Sequence, residues 1–403
     1  MSRKLLFFTI SFPHGSLEQS FIRNELKYLK EKFDQVIIVP SRINDEKHEF
    51  PSSLKVDESL ANELGSVSYL LKIRTLISIS FISELFRIKF NPSKIKRAVA
   101  ARLEALITKE WLTNFFKTEN ANEFLIYTFW HNSSTLGAIY FKQDFRNIKV
   151  VSRCHNFDLY GNDENDYYVP FQKEIVESLD GLYPVSKDGE NYIKSKFPLA
   201  NCKASLMGVP AAKVDNKASN DGVYRIASCS YLIPRKRVEL ILKGAIEFAT
   251  HYPNQKIEWT HIGDGPEIGK LLQLSNTIPT NLKIYLKGCL PNHEVLKYYE
   301  NFPVDLFVNV STKEGTPVSI MEAISFSIPV MASAFGGNKE IIEKGAGVLL
   351  PENPTTTDIS NSLTKLIKSD QVRLRSNAKK VWEDFYNCEK NYSNFCIDLF
   401  SLT

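Results

Sequence analysis

The stretch EGTPVSIMEAISFSIPVMASAFGG occupies residues 314–337 and follows a short apolar run, DLFVN, at 305–309. Together they read as strand, loop, helix over 317–326 and a further strand at 329–332, the alternation of an α/β protein. Gly315, Thr316 and Pro317 are expected in the first turn of that helix. Proline has no N–H, so Thr316, Val318 and Ser319 are the available donors there. Free N–H groups at a helix N-terminus, reinforced by the helix dipole, make a ready anion site. Glu314 stands just before the helix and Glu322 eight positions on, about two turns deeper. A carboxylate only accepts hydrogen bonds, so beside an anion site it suits the hydroxyl groups of a sugar or a ribose. An acidic residue that merely caps a helix would look the same, and the residues alone leave both readings open.

Working outward, the same alternation fills the chain. Strands are expected at 4–11, 35–40, 124–128, 149–153 and 181–184, with a helix at 18–32 whose Phe21, Ile22, Leu26 and Leu29 share one face. A second run starts near Tyr224, with strands at 225–229, 256–262 and 282–287 and helices at 238–251 and 266–275. Between the runs, residues 207–223 are rich in Gly, Pro, Ala, Asn and Asp without an apolar period, which predicts a linker. The expected domains are 1–206, 224–384 and a closing segment at 385–403.

The segment CSYLIPRKRVELILKGAI, 229–246, ends a strand, turns through Arg235, Lys236 and Arg237, and enters a helix. A solvated basic turn and an anion clamp both fit it. HIGDGPE, 261–267, is a Gly-rich turn in which Gly263 and Asp264 stand out, although one G-x-G usually marks only a tight turn. In the first half, SFPHGSLEQSFIRNE, 11–25, places Gly15 in a loop between strand and helix. SRCHNFDLYGN, 152–162, puts His155 at a strand end with Asp158 close by. For both segments an ordinary loop role is the alternative.

The spacing E-G-x-P-x-x-x-x-E, followed by a strand and F-G-G, resembles the E-x7-E motif of the family-4 retaining glycosyltransferases. That resemblance implies a GT-B fold: two Rossmann-like parallel-sheet domains facing a central cleft, with the C-terminal helix crossing back to the N-domain. It further implies that Glu314 faces the donor sugar, that Glu322 binds the ribose hydroxyls, and that Gly315, Thr316, Pro317 and Val318 surround the diphosphate. Lys236 matches the family's diphosphate clamp. The family's clamp Arg falls on Tyr231, so Arg235 or Arg237 is expected to supply that charge. Gly15, Gly263 and Asp264 fall on segments near the donor. The 152–162 segment is similar to the family's H-G-x-D, with Asn156 in place of Gly; it makes His155 catalytic with Glu314 and Lys236, and puts Asp158 on the acceptor side.

The activity so implied is metal-independent transfer of a sugar, with retention, from a UDP- or GDP-sugar to a glycan or lipid-linked glycan in bacterial surface polysaccharide assembly. The nucleotide sugar is a substrate, and no cofactor, metal or nucleic acid is expected. Retention is expected through front-face attack, a β-phosphate oxygen taking the acceptor proton. Asp163 and Asp166 read as loop residues, not as metal ligands. Tyr231 and Asn156 keep open a nucleotide-sugar-binding protein with a degenerate site; a GT-B phosphorylase or epimerase is a third reading. A dinucleotide oxidoreductase is disfavoured, because no G-x-G-x-x-G follows a first strand in either half.

Bulk properties set the remaining bounds. The 403 residues carry a net charge of +4, too modest to indicate a polyanionic partner. The six cysteines form no C-x-x-C pair and read as reduced thiols of a cytoplasmic protein. The apolar run near the N-terminus reads as a first strand, with no cleavage site behind it. Residues 66–117 hold ten Lys or Arg against three Glu, among Leu, Ile, Phe and Trp111. They are expected to be helical and to present an anionic membrane surface with a basic amphipathic face, or else to cover the first sheet.

Overall fold

The structure, a computed structural model, describes residues 3–14, 18–43, 54–66, 78–160 and 168–402. Gly15, Asp163 and Asp166 lie outside the described residues. The chain divides into two units, Met1–Leu206 with Tyr392–Thr403, and Met207–Asn391.

The first unit holds strands β1 (Lys4–Thr9), β2 (Gln35–Pro40), β3 (Lys55–Val56), β4 (Phe124–Thr128), β5 (Lys149–Cys154) and β6 (Gly181–Pro184). They form one parallel sheet in the order β3-β2-β1-β4-β5-β6. The second unit holds β7 (Val223–Cys229), β8 (Lys256–Ile262), β9 (Leu282–Leu286), β10 (Leu306–Asn309), β11 (Val330–Ser333) and β12 (Gly347–Leu350). Its parallel sheet runs β12-β11-β10-β7-β8-β9. Counted from its own first strand, each sheet is wound in the same order, and the winding reverses between its first and fourth strands. In such open α/β sheets ligands bind beyond the carboxyl ends of the strands at that reversal.

Local sequence explains the winding. Central strands such as VIIV in β2 and LFVN in β10 are apolar on both faces, and almost all of their residues are buried. A strand of that kind needs helices on both sides, which the crossover helices of parallel pairs provide. The strand β9 instead alternates buried with more exposed residues, as an edge position allows. β12 and the helix Ser133–Asp144, neither of which announced itself in the sequence, complete the two sheets' layers.

The final helix, Cys388–Phe400, carries residues from Tyr392 onward into the first unit, as the resemblance implied. There the rings of Tyr392 and Phe395 meet Tyr28 and Tyr127 at 5.9 and 5.5 Å. Phe395 also covers the guanidinium of Arg153, 4.0 Å from its ring centre. Arg153 is fully buried and pairs with the equally buried Glu25 at 3.0 Å. Tyr127 donates to the same carboxylate at 2.6 Å, and Arg153 donates to the carbonyl of Ser205 at 2.9 Å. Burial pushes the Glu25 carboxyl up, against the pull of Arg153.

Two stretches singled out in the sequence take definite form. Residues 207–222 form no helix or named strand, and Asn216 fastens them to the second unit. Its amide donates to the carbonyls of Tyr299 and Phe302 at 2.6 and 2.7 Å and accepts from the Val304 N–H at 3.0 Å. A polar loop residue with donor and acceptor on one side chain can fasten a linker in this way. In the basic stretch, helices cover Ile79–Arg87 and Pro92–Phe115, and residues 67–77 lie outside the described set. Trp111 follows the second of the two readings: it is buried in the first core, its indole N–H on Ser59 Oγ at 2.7 Å. Arg87 is held by the buried Glu84 at 2.6 Å, and Glu84 also accepts from the Phe171 N–H at 2.9 Å and from the Tyr168 hydroxyl.

Candidate active site

In the second unit the winding reverses between β7 and β10, and the loops leaving those two strands carry the chemistry. The first runs from Ser230 into a 3-10 turn, Pro234–Lys236, then through Arg237 in the left-handed region (φ 50°) to the helix Val238–His251. Arg235 and Lys236 are successive residues of that turn and diverge by about 120°, and Arg237 lies just beyond it. Lys236 Nζ turns to Glu314 Oε1 at 2.5 Å, a part-buried pair. Arg237 turns the other way, to the carbonyls of Val310 at 2.5 Å and Glu352 at 2.9 Å and to Asn353 Oδ1 at 3.2 Å. Its guanidinium is therefore a brace between loops, and burial lowers its pKa. Arg235 is exposed; its main-chain carbonyl accepts from the Thr312 N–H at 2.8 Å, tying the two loops together.

The second loop leads from β10 through Glu314 to the helix Val318–Ser325. Gly315 and Thr316 precede that helix, and Pro317 is its extended N-cap (ψ 110°), so none of the three lies in its first turn as expected. Pro317's carbonyl receives the N–H groups of Ile320 and Met321, both at 3.2 Å. The N–H groups of Val318 and Ser319 are the first of the helix, which have no intrahelical acceptor by geometry. The F-G-G that follows β11 shapes this loop from behind. A Cβ on Gly336 would stand 2.2 Å from the Glu314 carbonyl oxygen, and one on Gly337 only 1.7 Å from that of Gly315. Those glycines let the two loops touch.

Glu322 lies in the same helix, buried, and accepts from Asn292 Nδ2 at 2.7 Å. Burial pushes its carboxyl up to about 7, only partly offset by Asn292. Asn292 was not legible in advance, since it comes from the start of another helix thirty residues upstream. Gly263 and Asp264 close the turn after β8. The Gly263 N–H donates to the Gly288 carbonyl at 2.8 Å, and a Cβ at Gly263 would stand 1.9 Å from the Ser230 carbonyl oxygen. Asp264 accepts from the Gly265 N–H at 2.7 Å through its side chain. These contacts make the turn a support for the 230–237 loop.

In the first unit, His155 follows β5 and its ring packs against Phe129 and Trp130, centres 4.7 and 4.2 Å away. Asp158 accepts from the His155 N–H at 2.7 Å and from the His131 N–H at 3.0 Å, fixing the ends of β4 and β5. Glu18, unremarked in the sequence, does the same for the loop after β1. It accepts from the N–H groups of Ile10, Ser11 and Phe12 at 3.0, 2.5 and 2.7 Å, and from Trp130 Nε1 at 2.5 Å. His131 also escaped notice, although like His155 it follows a strand end; burial pushes its pKa down to about 4.

Comparison with known families bears on the second unit most directly. Residues 212–381 match the family model described as glycosyl transferases group 1. This stretch, less than half of the chain, is similar to a glycosyl transferases group 1 domain. Lys236, Glu314 and Glu322 all fall within that stretch. The putative colanic acid biosynthesis glycosyltransferase WcaL of Salmonella typhimurium is 25% identical over 258 residues, 59% of this chain and 61% of that protein. The chain thus spans about three fifths of the relative it matches. Among solved structures, the lipopolysaccharide outer core galactosyltransferase WaaB in its apo form superposes with a TM-score of 0.69 at 16% identity, over 98% of this chain and 99% of that one. Anabaena Alr3699/HepE in complex with UDP and glucose gives 0.64 at 16% identity, over 99% and 100%. The fold is GT-B.

Proposed function

We propose that the chain is a retaining glycosyltransferase that moves a sugar from a UDP- or GDP-sugar to a glycan or lipid-linked glycan in surface polysaccharide biosynthesis. The observation that carries this reading is the meeting of Lys236 and Glu314 at the reversal of the second sheet, beside the open end of the helix Val318–Ser325. A nucleoside diphosphate leaves readily once its developing charge is met, so positioning and cations matter more than acid catalysis. Lys236 and the N–H groups of Val318 and Ser319 meet that charge, with Arg235 at the rim. Glu314 orients the donor sugar and Glu322 the ribose. The acceptor oxygen forms its bond to the anomeric carbon as the bond to the β-phosphate oxygen breaks, and that phosphate oxygen takes the acceptor's proton. This route asks for no metal. WcaL's name supports the pathway, and HepE's bound UDP supports the donor class.

We further propose that the protein works on the cytoplasmic face of the membrane, as a peripheral protein. No helix among the described residues is long and apolar enough to cross a membrane. The apolar side chains of Ile79, Ile82, Phe86 and Phe90 stand exposed in the first unit, with Lys89, Lys96 and Arg97 exposed nearby.

A screen of UDP- and GDP-sugars tests the main reading, with thermal shift to find the donor and release of nucleoside diphosphate to find turnover. Donor binding without any release, even with added glycan, would favour a nucleotide-sugar-binding protein. Formation of a sugar phosphate from added inorganic phosphate would indicate a phosphorylase.

A further inference from the structure

Glu322 is buried in the helix Val318–Ser325, whereas its hydrogen-bond donor Asn292 is an exposed residue that opens another helix, Asn292–Asn301. The two meet at Glu322 Oε1, 2.7 Å from Asn292 Nδ2. Among the described residues no cation pairs with this carboxylate, and Asn292 alone opposes the burial that disfavours its charge. Two titratable groups lie near it, Cys229 at the end of β7 and Tyr299 on the helix that Asn292 opens. Burial pushes the Cys229 thiol up to about 12 and the Tyr299 phenol up as well, so both stay neutral at neutral pH. His293, next to Asn292, is turned to Glu294 at 3.1 Å. A buried carboxylate without a cation draws its support from donated hydrogen bonds, and those to a charged acceptor are the strong ones. An arginine in that place would fork across both carboxylate oxygens. A single amide N–H engages one and leaves the lone pairs of the other for a ligand.

We infer that Asn292 is a positioning residue for the nucleotide: by holding Oε1 of Glu322 it presents Oε2 to a ribose hydroxyl. This rests on the reading of Glu322 as the ribose ligand. Because Asn292 acts through Glu322, its effect requires both that carboxylate and the ribose hydroxyls. The test is calorimetric titration of the full chain with UDP and GDP, each beside its 2′,3′-dideoxy form, in Asn292→Ala, Glu322→Ala and the double variant. Asn292 is exposed, so its variant should fold, and thermal melting checks all three. Asn292→Ala is expected to weaken the ribonucleotide about tenfold and to leave the dideoxy form within about twofold. In the Glu322→Ala background the same substitution should add almost nothing, the non-additivity of two groups in one contact. The rise of ribonucleotide affinity with pH should also move to higher pH in Asn292→Ala, since the ionised carboxylate loses its donor. Equal losses for the ribose and dideoxy forms would overturn the inference, as would no loss at all or a full further loss in the double variant. Failure of both UDP and GDP to bind the unmodified chain would instead count against the donor reading, and the inference would fall with it.

Discussion

Lys236 Nζ donates to Glu314 Oε1 across 2.5 Å, joining the loop after β7 to the loop after β10. Both side chains are largely withdrawn from solvent. A bound diphosphate would compete with Glu314 for that ammonium. Lys236→Ala is therefore expected to lower kcat by about a hundredfold or more, the scale seen when a preorganised group at developing charge is removed. Glu314→Gln keeps the shape of the loop and should also lower kcat strongly, because its contact to the donor sugar matters while the glycosidic bond breaks. Nucleoside diphosphate release in steady state checks both. Near-normal turnover in either variant would remove that residue from the catalytic set.

Glu322 should give the donor site a pH dependence. Its carboxyl titrates near 7 in the folded chain against an ordinary 4.5, because burial disfavours its charge. Ribose hydroxyls donate to the ionised form, so UDP affinity should fall by up to about tenfold per unit as pH drops below 7. Glu322→Gln should flatten that profile in calorimetric titrations. Stability runs the other way. A raised carboxyl pKa means that the folded state binds the proton more tightly than the unfolded one, so the wild type loses stability relative to Glu322→Gln as pH rises from about 4.5 through 7. A pH-independent difference in melting temperature between the two proteins would contradict the shift. With a saturating acceptor, Glu322→Ala should raise the donor KM far more than it lowers kcat, since ribose contact is similar in ground and transition states.

Gly337 touches no expected ligand group, yet its replacement should be among the more damaging. Alanine there would bring a Cβ to 1.7 Å from the Gly315 carbonyl oxygen, a clash that only backbone movement can relieve. The loop that moves is the one carrying Glu314. Gly337→Ala is expected to cost about 1–3 kcal/mol of stability and to lower kcat at temperatures where the protein is still folded. Chemical denaturation and turnover at low temperature separate the two effects. Full activity in a folded variant would mean that the loop has room to adjust.

How far the sequence carried the reading depended on the distance over which each feature is determined. Alternating apolar runs revealed the α/β class because strand burial and helix periodicity are local. The 314–322 spacing was legible for the same reason, although the helix begins later than expected because Pro317 caps it instead of entering it. The direction of each cation at 235–237 was not legible, since it depends on a 3-10 turn and on carbonyls more than seventy residues away. Asn292 beside Glu322 and Glu18 beneath Trp130 are likewise long-range pairings that no local pattern signals. The place of Trp111 stayed open because an amphipathic basic helix and a core-covering helix share a composition and differ only in which face meets the sheet.

The last prediction concerns the apolar face of the first unit. Ile79, Ile82 and Phe86 recur on one side of the helix Ile79–Arg87, exposed by 90, 45 and 67%, and Phe90 follows at 53%. The opposite side buries Phe81 and Glu84, so the helix is seated and its outer face is left over. Arg87 pairs with Glu84, and Lys89 and Lys96 are exposed on the same stretch of chain. Docking on a membrane would draw on both terms, about 1.5–3 kcal/mol for each large apolar side chain fully buried and about 1 kcal/mol for each cation near anionic lipid. Phe86→Ser with Phe90→Ser should therefore release the protein from anionic vesicles at any salt concentration, measured by co-sedimentation. Lys89→Ser with Lys96→Ser should weaken binding about tenfold, and raising the salt should weaken the unmodified protein in the same way, because only the ionic part is screened. Turnover on a soluble acceptor should stay near normal in both double variants, since neither pair lies in the second unit that holds Lys236, Glu314 and Glu322. Vesicle binding indifferent to the phenylalanines would place the membrane contact elsewhere or nowhere on this face.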